Sequence, residues 1–204
     1  MRIDNMARGN SMYTSNVYLV RGDWNALVDR NTLVDTGRDP VVLDNLEQAA
    51  TGVGKPRVEQ VVLTHGHYDH VGMLERIRER YRPLVYAFSP HLEGTDRVLG
   101  DGDRLFLGDA RFEVIHVPCH SQDSICLFHP GSGVLFSGDT PMEQHRSLGE
   151  QSCECGERLS RLSRLAIHMV YPGHGEAYVP ASRARLAEGS PGMEREGTKP
   201  KNWS

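Results

Sequence analysis

Thr64-His65-Gly66-His67-Tyr68-Asp69-His70 places three imidazoles and a carboxylate within six residues, directly after the apolar run Val61-Val62-Leu63. Imidazole nitrogens and carboxylate oxygens are ligands for borderline divalent ions such as zinc, iron or manganese. Four such groups on one short loop exceed what a single ion easily accepts from that loop, so the stretch points to two ions. A solvated loop that happens to be rich in histidine is the plain alternative. The regular order of strand, ligand loop and helix argues against it.

Three further candidates each follow a strand-like run. His120 comes after Val114 to Val117 and Pro118, Asp139 after Leu135-Phe136-Ser137-Gly138, and His174 after Met169 to Tyr171 and Pro172-Gly173. Loops that leave one edge of a sheet gather functional groups. Taken singly, each of the three is more often an ordinary loop residue than a ligand; the recurrence carries the argument.

The elements that must position these groups are short. Alternating apolar residues predict strands at 16–20, 26–28 and 32–34, separated by turns at Arg21-Gly22-Asp23 and Asp29-Arg30-Asn31. Pro40 opens a helix with Val41, Leu43, Leu46 and Ala50 on one face, and Gly52 and Gly54 stop it. The strand 58–63 delivers the histidine loop, and a helix from about His70 turns Val71, Leu74 and Ile77 inward. Further strands are predicted at 84–87, 103–107, 111–117, 124–128, 134–136 and 168–171, with a helix over 154–165 and an aperiodic linker over 91–100. Two sheets sandwiched between helices fit this layering. The expected organisation is a single domain over residues 1–180 and a flexible, polar C-terminal tail over 181–204.

Composition excludes several function classes. With 38% apolar and 25% charged residues and a formal charge of −4, the 204-residue chain has no electrostatic footprint for nucleic acid. No apolar run is long enough to span a bilayer, and residues 1–22 lack the pattern of a secretory leader. A cytoplasmic setting is therefore expected, with a small-molecule substrate and no nucleic-acid or membrane partner; a homodimer is open. Four cysteines in a chain of this length are not a disulfide framework, and Cys153 and Cys155 sit too close to bridge each other, so all four are expected to be reduced.

His65-x-His67-x-Asp69-His70, followed by His120, Asp139 in Ser-Gly-Asp-Thr and His174 in Pro-Gly-His-Gly, resembles the metallo-β-lactamase superfamily from about Asn16 to Tyr178. The resemblance implies an α+β fold, a four-layer αβ/βα sandwich with the metal site at one edge of the sheets. It implies that His65, His67 and His120 hold one metal, that Asp69, His70 and His174 hold the other, and that Asp139 bridges them. Asp35 takes a supporting place behind the ligands, and Tyr68 and Cys119 are expected beside them or in the pocket wall. Two divalent ions, zinc first with iron or manganese as alternatives, would hold a bridging hydroxide that attacks a small ester-like substrate, a thioester or lactone. Asp69, the non-bridging carboxylate, is the expected catalytic proton carrier.

The chain departs from the resemblance in places. Where many relatives read Pro-Gly-His-Thr-Pro-Gly-Ser, it has Pro118-Cys119-His120-Ser121-Gln122-Asp123-Ser124. A thiol at Cys119 beside a cation would be reactive; a compact apolar filler at a strand end is the plainer reading. Cys153 and Cys155 are expected to be structural, and His91, His116, His129, His145 and His168 to be ordinary surface or core residues. Relatives that hydrolyse glutathione thioesters append a helical domain after the last histidine, for which 30 residues leave no room. A rival reading uses His65, His120 and Asp139 around one ferrous ion, as in the resembling persulfide dioxygenases. A third is a non-catalytic metal-binding module, against which the complete ligand set speaks.

Overall fold

A computed structural model describes residues 1–23, 26–142 and 153–180, with side chains from Cys155 onward in the last segment. The first half of the chain forms strands β1 (Arg2–Asn5), β2 (Tyr18–Arg21) and β3 (Thr32–Val34), helix α1 (Val41–Gln48), strand β4 (Gln60–Val62), helices α2 (Tyr68–Val71) and α3 (Leu74–Tyr81), and strands β5 (Leu84–Ala87) and β6 (Arg97–Val98). The second half forms strands β7 (Arg104–Leu107), β8 (Ala110–His116), β9 (Ile125–His129) and β10 (Val134–Gly138), helix α4 (Cys153–Ser163) and strand β11 (Met169–Pro172).

Two mixed sheets result, a six-stranded one ordered β1-β2-β3-β4-β5-β6 and a five-stranded one ordered β11-β10-β9-β8-β7. In the first, β3, β4, β5 and β6 run parallel; in the second, only β10 and β11 do. Period-two alternation sorts the side chains into layers, because successive residues of a strand face opposite sides of its sheet. Leu19, Leu33, Val61, Leu63 and Val85 face Val42, Leu46, Leu74 and Ile77 of α1 and α3. Their neighbours Tyr18, Val20, Val34 and Val62 meet Phe112, Val114, Leu127 and Phe136 between the sheets. On the far side, Ile115, Cys126, Phe128, Leu135 and Val170 receive Leu159 and Leu162 of α4. The order helix, sheet, sheet, helix is the four-layer αβ/βα sandwich.

Several local expectations are corrected. Strand β1, of mostly polar residues with an exposed-intermediate alternation, pairs antiparallel with β2 at the sheet edge, where one face stays wet. Ala26-Leu27-Val28 is a bend rather than a strand; Ala26 N–H closes a turn onto the Asp23 carbonyl, and Leu27 is fully exposed. The helix expected from His70 is two helices broken at Gly72-Met73, where Met73 N–H turns to the Gly37 carbonyl. Within the expected linker, β6 pairs with β5.

The expectation of four reduced cysteines also fails. Cys119, just past β8, is bonded to Cys155 in the first turn of α4, with Cα atoms 5.1 Å apart. Reading only sequence neighbours missed this pair, since 36 positions separate residues that the sheet and its covering helix bring together. Cys119 is thus neither a free thiol beside the site nor a mere filler. Cys126 is free and buried, and burial pushes its thiol up to about 12. The tail beyond residue 180, His145 and the Cys153 side chain lie outside the described residues.

Candidate metal centre

Every sequence-predicted ligand lies at the same edge of the sandwich, in loops that leave the carboxyl ends of strands. Leu63 and Thr64 carry the chain out of β4 to His65, and His67 stands at the start of α2, which contributes Asp69 and His70. From the other sheet, His120 follows β8, Asp139 follows β10 and His174 follows β11. Ligand-type atoms of His65, His67 and His120 lie within 4.8 Å of one another, as do those of Asp69, His70 and His174, and those of His65, His70 and Asp139. Asp139 stands between the outer groups: its Oδ2 is 3.5 Å from His120 Nε2 and 3.4 Å from His174 Nε2.

Asp35 organises the inner side. It ends β3 in a left-handed conformation, with φ of 61°, which an aspartate tolerates better than most residues. Its Oδ1 accepts the Thr64 N–H at 2.7 Å, and its Oδ2 accepts the Thr64 hydroxyl and His70 Nδ1–H, each at 2.8 Å. With Nδ1 committed as a donor, His70 presents Nε2 to the centre. His65 Nδ1 lies 3.1 Å from the Thr64 hydroxyl and likewise leaves Nε2 inward.

Burial and the crowding of imidazoles against carboxylates shift the protonation of the site. Burial, reinforced by the neighbouring His70, lowers His65 to about 4. His70 is pulled down by burial, but Asp35 and Asp139 outweigh that and raise it to about 10. Burial would raise the Asp139 carboxyl; the imidazoles of His174 and His70 instead hold it far below the ordinary carboxylate range. Three of the buried atoms, His65 Nε2, His70 Nε2 and Asp139 Oδ1, make no hydrogen bond. His70 Nε2 does lie 3.3 Å from Asp139 Oδ1, an ion-pair distance without hydrogen-bond geometry. Buried polar atoms are rarely left so, and two imidazole nitrogens and a carboxylate oxygen within 4.8 Å of one another are a donor set that a divalent ion could use by displacing the His70 Nε2 proton.

The backbone is shaped to the same end. A Cβ on Gly173 would overlap Asp139 Oδ1 and come within 2.8 Å of His70 Cε1, so only glycine lets the His174 loop pass behind the carboxylate. Asn16 holds that loop to the first sheet: its N–H donates to the Gly173 carbonyl at 2.7 Å, and its Nδ2 to the carbonyls of Pro172 and Gly175 at 3.0 and 2.8 Å.

Other residues stand at the rim. Tyr68 is exposed and lies under the guanidinium of Arg38, 5.4 Å from its ring centre. His116, expected to be an ordinary residue, stacks on Phe88 at 3.9 Å and reaches the Gln122 carbonyl through Nε2 at 2.8 Å, bracing the loop that carries His120. Tyr13 stacks on His174 with ring centres 5.0 Å apart, its hydroxyl 3.3 Å from Nε2. Neither Tyr13 nor Arg38 is marked by sequence spacing. Their one signal is adjacency to structured segments, Tyr13 just before the strand-initiating 14–17 and Arg38 just after Asp35-Thr36-Gly37.

The sequence profile described as the metallo-beta-lactamase superfamily matches residues 12–174, a span that contains every candidate ligand. A hydroxyacylglutathione hydrolase from Chromohalobacter salexigens is 33% identical over 126 residues, 61% of this chain and 46% of that protein. The chain thus spans about half the length of that curated relative. An acyl-coenzyme A thioesterase, MBLAC2 from Gallus gallus, is 26% identical and is matched over 85% of this chain and 76% of its own. Among solved structures, TTHA1623 in a di-iron-bound form superposes with a TM-score of 0.63 at 28% identity, covering 84% of this chain and 92% of that one.

Proposed function

This chain belongs to the metallo-beta-lactamase superfamily, and we propose that it is a metal-dependent hydrolase that holds two divalent ions and cleaves a small thioester. The observation that carries the reading is the convergence of buried, unpartnered His65 Nε2, His70 Nε2 and Asp139 Oδ1 between two outer ligand groups that both approach Asp139. Both curated relatives described above are named for hydrolysis of a thioester, which is the bond they share. The di-iron-bound relative supports two ions and keeps iron beside zinc as a candidate.

When bound, the ions would supply Lewis acidity toward a carbonyl oxygen and bring a water toward ionisation near neutral pH. His65, His67 and His120 would hold one ion, Asp69, His70 and His174 the other, and Asp139 would face both. Asp35 takes the His70 Nδ1–H, so that Nε2 is the atom that would meet the ion, giving up its proton as the ion binds. Asp69, partly exposed and with Oδ2 3.1 Å from His174 Nε2, would pass a proton at Oδ2 to a leaving thiolate. Lactones present the same electrophilic carbonyl and are the second substrate class.

Elemental analysis of the protein purified without added metal, paired with a panel of thioesters and lactones, tests the reading. About two equivalents of metal per chain with thioester hydrolysis is the expected result. One equivalent of iron with oxygen uptake on a persulfide and no hydrolysis would replace it with the dioxygenase chemistry. A metal-free protein that stays so on addition of zinc, iron or manganese would remove both.

A further inference from the structure

One wall of the centre carries a cation that the ligand chemistry does not use. Arg38 follows Gly37, whose N–H, with that of Thr36, is bonded to the His70 carbonyl. The Arg38 N–H itself donates at 2.8 Å to the Thr14 hydroxyl, next to Tyr13. Its Cβ packs so near Gly72 that a side chain there would come within 2.8 Å of it, so a glycine makes room for this arginine against α2. The guanidinium lies over Tyr68, the residue between His67 and Asp69. Segments 13–16, 36–39 and 67–72 are thereby sewn into one wall, with Ser15 N–H donating to the Asp69 carbonyl at 3.2 Å.

Arg38 is half-buried and has no carboxylate partner among the described residues. The adjacent carboxylate does not serve it. Asp39 Oδ2 accepts from the N–H groups of Ser11 and Met12 and from the Ser11 hydroxyl, while Oδ1 accepts from Val41 N–H. Asp39 is thus spent on holding the loop that presents Tyr13. A planar fork of donors, held over the ring of the residue between two candidate ligands and lacking an anion among the described residues, is suited to a carboxylate or phosphate brought by a ligand.

We propose that Arg38, seated on Tyr68, is a specificity-determining residue that binds an anionic group, carboxylate or phosphate, on the portion of the substrate outside the metal centre. This rests on the hydrolase reading above and deepens it by naming the substrate class: acyl thioesters carrying a negative charge.

The test uses N-acetylcysteamine thioesters of matched length, glutaryl, 4-phosphonobutanoyl and pentanoyl, on the zinc-loaded full chain, its Arg38→Met variant and its Arg38→Lys variant. In the parent, KM should be lower for the charged thioesters than for the pentanoyl one. In R38M the ratio of the pentanoyl to the charged KM should fall about tenfold, the loss of one charge-assisted contact, with metal equivalents unchanged and R38K intermediate. The charged probe with the larger fall identifies carboxylate or phosphate. Calorimetric binding of glutarate, 4-phosphonobutanoate and pentanoate gives the same comparison without turnover, so it stands even if none of the thioesters is hydrolysed. A parent that prefers neither anion over pentanoate, or an R38M variant in which all three weaken equally, overturns the proposal.

Discussion

Asp35 Oδ2 and His70 Nδ1 lie 2.8 Å apart, and this bond joins the end of β3 to a ligand on α2. The carboxylate also takes both donors of Thr64, the residue before His65. Two candidate ligands, His65 and His70, are therefore oriented through one side chain held in a left-handed backbone conformation.

Replacing Asp35 with Asn exchanges an acceptor pair for a group that must turn one donor toward Thr64 or His70. The chain should still fold, while metal affinity falls about 10- to 100-fold, the usual cost of losing a carboxylate behind a ligating histidine. Competition against a chromophoric chelator measures it; unaltered affinity would show that Thr64 alone suffices to aim His70.

Gly173→Ala sets a methyl where Asp139 Oδ1 and His70 Cε1 already lie. Metal equivalents should drop sharply with retained circular dichroism of the sheets. Gly156→Ala on α4 is the matched control, since open space surrounds that position and alanine in a helix gains about 0.5–1 kcal/mol over glycine.

The Cys119–Cys155 bond ties the His120 loop to α4, whose Arg158 and Arg161 also clasp Asp101 at 2.9 Å. Closing a loop of 36 residues should stabilise the fold by about 3–4 kcal/mol. Dithiothreitol, or the paired change of both cysteines to serine, should lower the unfolding midpoint and speed release of metal to a chelator. A thiol count on the unreduced, denatured protein should find at most two of the four cysteines free; a count of four would place the protein in a reducing setting where this bond is open.

Removing metal should lower the melting temperature, because ligands from both sheets meet at one point. A ligand at a thousandfold excess over its Kd adds about 4 kcal/mol to stability by mass action. Differential scanning calorimetry with and without chelator reads the change, and an unchanged midpoint would mean that the sandwich holds its edge without ions.

Much of this was legible in the residues. Ligand chemistry admits few side-chain types, so His65, His67, Asp69 and His70 stand out at once, and the period-two runs disclose strands whose two faces are both buried. Other features are invisible at that level for physical reasons. Strand β1 is an edge strand and reads as polar; Ala26-Leu27-Val28 has strand-like residues but pairs with no strand among the described residues. Cys119 meets Cys155, Tyr13 meets His174 and Arg38 meets Tyr68 only after the sheets and helices have packed, at separations that no local pattern records.

Asn16 clasps Pro172, Gly173 and Gly175 across as many as 159 positions of the chain. A ribosome delivers the histidine loop more than a hundred residues before this clasp can close. The nascent chain therefore exposes four candidate metal ligands before the other three are made, and the proposed centre could be completed only once synthesis has passed His174. On the proposed reading, loading with the right ion would be a late event, and the early histidine cluster would be the point at which a wrong, tightly binding metal is captured during translation.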